Sequence, residues 1–498
     1  MKHENDVLIH NPLKPSKCPH IKVIHIFTCL MKGFLAICLV ASLSLVSFSS
    51  FSNKTRWLKY CADCDNRFIH SWRNFNTQQD HPEKTNLSHV LFGIGGSTET
   101  WNERRQYSDI WWQPNVSRGY VWLEQAPIEP WPETSPPFKV SEDTSRFQYT
   151  CWYGSRSAIR IARIVKESFE LGLTNVRWFV LGDDDTIFFP DNLLTVLQKY
   201  DHNEMYYIGG VSESVEQDVV HTYTMAYGGG GFAISYPLAE QLVRILDACI
   251  DRYASVYGSD QKIGGCMSEI GIPLTKELGF HQMDVRGNPY GILAAHPMAP
   301  LVSLHHLDSM QPLFPEMSRI ESAKKLTEAY KLDPSRALQH TFCYDLAKNW
   351  SISIAWGYSI QLYPTILTPQ DLQTPLQTFL SWRTWSQEPF TFNTRTMSLE
   401  PCERPIIYFF EGGAELGHHR TLTSYKRPNP SSHKQCDRDD YSAALSIRMF
   451  NVKASIMDPQ VWQKAPRRQC CEIISGEDDG VVQVNMRDCN QWETVTPP

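Results

Sequence analysis

The stretch WFVLGDDDTIFFP (residues 178–190) sets two apolar runs around three consecutive aspartates, Asp183, Asp184 and Asp185. Adjacent carboxylates repel one another and lose hydration when drawn toward a core, so something must compensate. Either they turn into water at a tight turn, or a cation holds them. Upstream, Ala158, Ile161, Ala162, Val165 and Phe169 recur at helical spacing over residues 155–171, and Gly172 and Asn175 lead into the run at 178–181. A helix feeding a continuous apolar strand predicts a parallel α/β sheet. Ligands of such sheets collect at the carboxyl ends of the strands, where these aspartates fall.

Order begins earlier, at HVLFGIGG (residues 89–96), a short apolar run ending in glycines. Ser97 and Thr98 offer N-cap oxygens to a helix through ETWNERRQYSDIWW. Strand, glycine turn and helix start together form a loose pattern for a phosphate or sugar-nucleotide cradle. Residues 120–124 read as a second strand. Residues 126–146, with prolines at 127, 130, 132, 136 and 137, read as loop, a surface connection or a lid over a site. Strands are expected at 206–210 and at 225–235, the latter interrupted by four glycines at 228–231. Pro237 opens an amphipathic helix whose stripe is Leu238, Leu242, Ile245, Leu246, Cys249, Ile250 and Tyr253, with Gly258 ending it. Beyond residue 325 the texture turns β-like: WSISIAWGYSIQLY (350–363) alternates as a strand does, residues 406–410 are another strand candidate, and Cys402, Cys436, Cys470, Cys471 and Cys489 predict disulfide staples.

The 498 residues exceed one ordinary core, so two globular units are expected. A net charge of -7 without a long basic run argues against nucleic acid as a partner. Residues 33–51 (GFLAICLVASLSLVSFSSF) carry no charge and are flanked by Lys32 on one side and Lys54, Arg56 and Lys59 on the other, which predicts an uncleaved transmembrane anchor rather than a signal peptide. Three N-x-[ST] sequons, at Asn86, Asn115 and Asn349, follow it. Of 14 cysteines, Cys18, Cys29 and Cys38 lie in or before the anchor. The remaining 11 suit an oxidising lumen and leave at least one thiol free or paired between chains. Cys61 and Cys64 read as a disulfide just outside the membrane.

An apolar strand ending in D-x-D or DDD can hold a divalent cation bridged to a nucleotide diphosphate, because hard cations take carboxylate oxygens together with phosphates and water. A phosphoryl transferase of the haloacid dehalogenase type competes for the motif. Asp183 and Asp185 fit its D-x-D-x-[TV] pattern, but Ile187 stands where Thr or Val is needed, and Thr186 comes one place early.

Four motifs in order, WFVLGDDDTIFF, AYGGGGFAIS (226–235), YGSDQKIGGCMSEIG (257–271) and LVSLHHLD (301–308), resemble those of the Fringe-like β-1,3-glycosyltransferases. Most similar is a plant group of Fringe-related proteins catalogued as a domain of unknown function. The resemblance covers about residues 89–315, while the C-terminal third is similar to the plant group only. It implies a GT-A fold, a UDP-sugar donor, Mn²⁺ or Mg²⁺ dependence, inversion at the anomeric carbon and residence in the Golgi. By position, Asp185 would be the principal metal ligand with Asp183 in support, and Asp184 would touch the donor. His306 would be the second protein ligand, since HHLD matches the family's H-S-H-L-E at its second histidine; His305 is the fallback. Asp260, in D-Q-K-I-G where Fringe has D-[MCV]-T-[IV]-G, would take the acceptor's proton. The alternative is that Ser259, standing where Fringe has a second acid, caps a short helix and Asp260 only complements its positive end. Gly229 and Gly230 would let backbone approach the sugar, or else serve a turn of positive φ. Arg104 or Arg105 would contact the donor.

The expectation is therefore an α/β protein with a GT-A, Rossmann-like domain and an N-terminal transmembrane helix. Its parts are a cytosolic tail (1–32), an anchor (33–51), a stem (52–87), the GT-A domain (88–325) and a β-rich, cysteine-containing extension (326–498). It would be a type II Golgi membrane protein moving a hexose from a UDP-sugar to a carbohydrate acceptor. The alternative is an inactive sugar-binding or scaffold protein on the same fold.

Overall fold

The helix and strand around the aspartates form as the pattern predicts. A computed structural model describes residues 83–387, 389–428, 436–474 and 480–496. In it the helix Ser157–Glu170 precedes the buried strand Trp178–Asp183, and that strand lies at the centre of a seven-stranded sheet. Edge to edge the order is Phe138–Val140, Gly119–Leu123, Val90–Gly95, Trp178–Asp183, Phe232–Ser235, Tyr207–Gly209, Leu274–Lys276. The first four strands are mutually parallel, as expected of an α/β sheet. The sheet is mixed, because Phe232–Ser235 runs antiparallel to both neighbours.

Several local expectations shift for identifiable reasons. The proline-rich segment 126–146 is not wholly loop, because Phe138–Val140 extends the sheet edge. Only Phe232–Ser235 of the expected strand 225–235 is extended, since the glycines before it form a turn in which Gly231 takes φ +80°. The amphipathic helix runs Tyr236–Arg252 and ends before Gly258, with Leu238, Leu242, Leu246, Cys249 and Ile250 buried as its stripe requires. The alternating stretch 350–363 is a hairpin, Trp350–Ala355 against Ser359–Tyr363, turned at Gly357 with φ +76°. Gly258, not Ser259, is the N-cap of the helix Ser259–Ile270.

An eight-stranded sheet fills the C-terminal part. It is antiparallel throughout except where Met449–Ser455 runs parallel to Val481–Arg487. Disulfides Cys343–Cys471 and Cys470–Cys489 tie its edge strands, and Cys402–Cys436 closes a connection. A fourth, Cys249–Cys266, joins the helices Tyr236–Arg252 and Ser259–Ile270; Cys151 is buried and free. Lys84–Pro498 makes one compact unit, and one buried core continues from Val90 and Phe92 of the first sheet to Val452 and Val484 of the second. The helix Arg319–Leu332 packs on both the helix Trp101–Trp111 and the strand Ile406–Glu415. Among the described residues no helix is long and apolar enough to cross a membrane. The anchor expected at 33–51, nearly all of the stem, and Cys61 and Cys64 lie outside the described residues.

Candidate active site

The carboxyl ends of three parallel strands meet where Gly95 pairs with Asp183 and Trp122. The chain turns there: Thr186 N donates to Asp183 O (3.0 Å) and Asp184 N donates to Gly95 O (3.0 Å). Buried Arg160 braces the same edge, donating to Trp122 O (2.8 Å) and Gly96 O (2.7 Å). The turn therefore fixes three carboxylates in different directions. Asp184 and Asp185 are buried, while Asp183 lies at the rim with its side chain about one-third exposed.

Asp183, Asp185 and His305 each offer a ligand atom within 4.8 Å of the others. His305 Nε2 is 3.1 Å from Asp185 Oδ1 and 3.8 Å from Asp183 Oδ2. Burial opposes a charged imidazole, yet the Asp185 carboxylate overrides it and raises His305 to about 9. Burial would likewise raise Asp185, but His305 and Arg104 hold it well below the usual carboxylate range. Asp183 is raised by its loss of surrounding water, which His305 only partly offsets, and Asp184 is raised to about 6 by burial and by Asp185.

It is His305, the fallback, and not His306 that converges with the two carboxylates. Along the strand Ser303–Leu304 side chains alternate, so His305 shares the face of Ser303, whose Oγ donates to Gly230 O. His306 follows in a left-handed conformation (φ +56°), and its ring lies beside that of His305 (centroids 3.8 Å) rather than among the clustered ligand atoms. Its Nδ1 lies 3.1 Å from Asp284, and its ring stacks on Trp382 at 4.3 Å. Gly229 explains itself here: a Cβ on it would lie 2.0 Å from His305 Cε1, so this glycine makes room for the imidazole. Gly230 N donates to Gln282 Oε1 (2.7 Å).

Asp260 is in the first turn of the helix Ser259–Ile270, which Cys249–Cys266 anchors. Its Oδ1 accepts from Gln261 N (2.8 Å) and its Oδ2 from Gly228 N (3.2 Å). Burial raises it despite these bonds. A small cavity has Asp183, Gly228 and Asp260 in its wall. Arg104 reaches Asp184 (3.3 Å), Asp185 (3.4 Å) and Asp308 (2.8 Å), whereas Arg105 turns to Asp109 on its own helix. Ser97 and Thr98 do not cap that helix: Thr100 occupies the N-cap, and Thr98 bonds Glu124 instead. Thr100 Oγ1 donates to Asp184 Oδ2 at 3.2 Å.

The sequence reading missed Asp284, Gln282, Asp308, Thr100 and Trp382. Asp308 stood within a quoted motif, and the others carry no local signal. A cleft of about 520 Å³ opens beside the helix start, walled by Trp101, Gln125 and Trp131, the two indoles stacked at 4.6 Å.

The donor set suits a hard divalent cation. Both Asp185 oxygens are buried without a hydrogen bond of good geometry, and two carboxylates with one imidazole converge there.

Known proteins resemble parts of the chain. A family model described as "Fringe-like" matches residues 143–287, and one described as "Protein of unknown function, DUF604" matches residues 217–471, just over half of the chain. A β-1,3-glucosyltransferase of Mus musculus is 28% identical over 171 residues, covering 33% of this chain and 32% of the relative. A β-1,3-glucosyltransferase of Homo sapiens is 30% identical over 110 residues, covering 21% of this chain and 20% of the relative. The matched segments thus span a third or less of those relatives. A solved glycosyltransferase involved in the glycosylation of the major capsid of PBCV-1 aligns over 47% of this chain and 96% of its own, with 13% identity and a TM-score of 0.26. The chain belongs to the family described as DUF604, and its residues 143–287 are Fringe-like.

Proposed function

We propose that this glycosyltransferase moves a hexose from a UDP-sugar to a carbohydrate acceptor with inversion, forming a β-1,3 bond in the Golgi lumen behind an anchor at residues 33–51. The observation that carries this reading is the Gly228–Gly229 pair. Gly228 N donates to Asp260 and Gly229 abuts His305, so adjacent residues of one turn touch the proposed proton acceptor and the imidazole of the acidic cluster.

Asp183, Asp185 and His305 would hold Mn²⁺ or Mg²⁺, which when bound neutralises charge gathering on the UDP diphosphate. Arg104, already lodged among Asp184, Asp185 and Asp308, supplies a second fixed positive charge toward the donor. The Trp101–Trp131 cleft offers an aromatic wall for the uridine. The acceptor hydroxyl oxygen attacks the anomeric carbon while Asp260 takes its proton. The bond from that carbon to the UDP oxygen breaks, and UDP leaves with the electron pair. Two backbone N–H groups fix the direction of the Asp260 carboxylate.

The four disulfides among the described residues, and the sequons Asn115 and Asn349 in exposed left-handed turns (φ +65° and +58°), suit a lumenal body. Asn86, the third sequon, is half-buried and caps a short 3₁₀ turn.

The test is release of UDP from UDP-glucose, UDP-galactose and UDP-N-acetylglucosamine by the purified protein, with and without Mn²⁺. Metal-dependent release that Asp260→Asn abolishes is expected. No release from any donor, with glycan binding preserved, would replace this reading by the sugar-binding alternative.

A further inference from the structure

Two ring stacks border the site, and each ends in an exposed ring. The first runs from His221 to Tyr257 (5.3 Å) to Tyr153 (5.5 Å, planes within 11°), and Tyr153 is 59% exposed. Tyr257 stands three residues before Asp260. The second starts beside the ligand cluster: the His305 ring lies tilted against that of His306 (3.8 Å, planes at 32°), and His306 stacks on Trp382 (4.3 Å, planes within 10°). The Arg286 guanidinium then bridges Trp382 (3.7 Å) and Trp385 (5.5 Å), and Trp385 is 60% exposed.

The second stack is a contribution of the C-terminal part. The strand Phe379–Ser381 pairs antiparallel with Val285–Gly287, which delivers Trp382 and Trp385 to the site. Between these tryptophans, Arg383 N donates to Glu216 Oε2 (3.2 Å), and the Thr384 hydroxyl donates to Glu216 Oε1. Glu216 belongs to the helix Val215–Val220, whose C-cap is His221, the root of the first stack. The two stacks are therefore tied into one rim.

Resting on the transferase reading above, we propose that Tyr153 and Trp385 are stacking platforms for an acceptor carbohydrate chain of two or more sugar rings. A pyranose presents a flat face of C–H groups with hydroxyls around its edge, which matches an exposed ring fringed by polar groups such as Arg383, Thr384 and Glu216. Exposed aromatic faces beside a site mark a binding groove rather than idle surface. A protein partner would need pockets for inserted anchors, whereas these stacks end in flat rings. The inference also gives a role to the segment that leaves the C-terminal sheet after Ser359–Tyr363 and pairs with Val285–Gly287, as the carrier of one acceptor wall.

The test is titration of the full chain, followed by tryptophan fluorescence and calorimetry. The probes are β-1,3-glucan and β-1,4-galactan hexamers, with glucose, galactose and an unglycosylated Ser/Thr-rich peptide beside them. At least one hexamer should bind about tenfold or more tighter than its monosaccharide. Tyr153→Ala and Trp385→Ala should each weaken it about three- to tenfold, the range expected of one lost aromatic stack. Tyr153→Phe should bind as the unaltered chain does, and unchanged thermal midpoints separate lost binding from lost folding. The proposal is overturned if both hexamers bind no tighter than their monosaccharides, if the alanine variants bind like the unaltered chain, or if the peptide is bound instead. A parallel titration with UDP and Mn²⁺ keeps the two readings apart: failure there with hexamer binding intact removes the donor assignment and leaves the platforms.

Discussion

His305 directs Nε2 at Asp185 Oδ1 across 3.1 Å, and neither residue is more than 4% exposed in its side chain. Without a cation the imidazole keeps a proton to match the carboxylate, which is why it is raised to about 9 while Asp185 falls. A metal needs the neutral imidazole, so binding must expel that proton. The sign follows: the proton competes below about pH 9, and affinity weakens as pH falls. Apparent Mn²⁺ affinity should drop about tenfold per unit between pH 8 and pH 6, read by calorimetry with proton release measured in buffers of different ionisation enthalpy. A pH-independent affinity would show that His305 is not displaced.

Gly228 and Gly229 are adjacent but should respond differently to a methyl group. At Gly229 the new Cβ would meet His305 at 2.0 Å, so the ring must move. At Gly228 the nearest atom is Asp260 Cβ at 3.6 Å, an ordinary contact. Gly229→Ala is expected to lower Mn²⁺ affinity at least about tenfold and to cost about 1–3 kcal/mol of stability from overpacking. Gly228→Ala should keep both within about threefold and 1 kcal/mol. Equal effects from the two variants would detach the glycine from the histidine.

The central strand, the helix before it and the buried stripe of Tyr236–Arg252 were legible because their periodicity is local and tertiary packing agrees with it. The DDD turn announced itself by the cost of three charges between apolar runs. The choice between His305 and His306 was not legible from the motif. It depends on where the strand stops and on one left-handed residue, both set by contacts to Gly230 and Trp382. The antiparallel strand Phe232–Ser235 escaped for a similar reason: direction is a property of pairing, and its apolar run reads alike either way. Trp382 and Trp385 were beyond reach, since they arrive from a strand pairing far along the chain.

Asp260 accepts two backbone hydrogen bonds, and its burial raises it, as the proposed role of proton acceptor requires. Asp260→Asn preserves size and one acceptor oxygen but removes the basic pair. Transfer should fall about 10²–10⁴-fold, with UDP and Mn²⁺ affinity within about threefold of the unaltered chain. Single-turnover transfer and UDP calorimetry on the same sample separate the two quantities. Loss of UDP binding would make Asp260 a structural support of the glycine turn instead.

Arg336 and Asp333 bind the C-terminal sheet to the rest of the core. Arg336 is 1% exposed, its Nε lies 2.9 Å from Asp333 Oδ2, and its other nitrogens reach Ser455 O and Gln469 Oε1. Asp333 is fully buried and also accepts from Met457 N (3.0 Å). Arg336→Met would strand a buried carboxylate, and unfolding in urea at pH 7 should show a loss of about 3–5 kcal/mol. Asp333 is already raised by burial, against the pull of Arg336, and losing that partner raises it further. A carboxylate raised in the folded state favours folding below its unfolded value and loses that contribution as pH climbs. The deficit of Arg336→Met should therefore shrink as pH falls from 7 to 5. Asp333→Asn on top of Arg336→Met should recover part of the loss at pH 7 and flatten the pH dependence. A deficit that stays constant with pH would mean that the packing of the Arg336 stem, rather than its charge, holds the two sheets together.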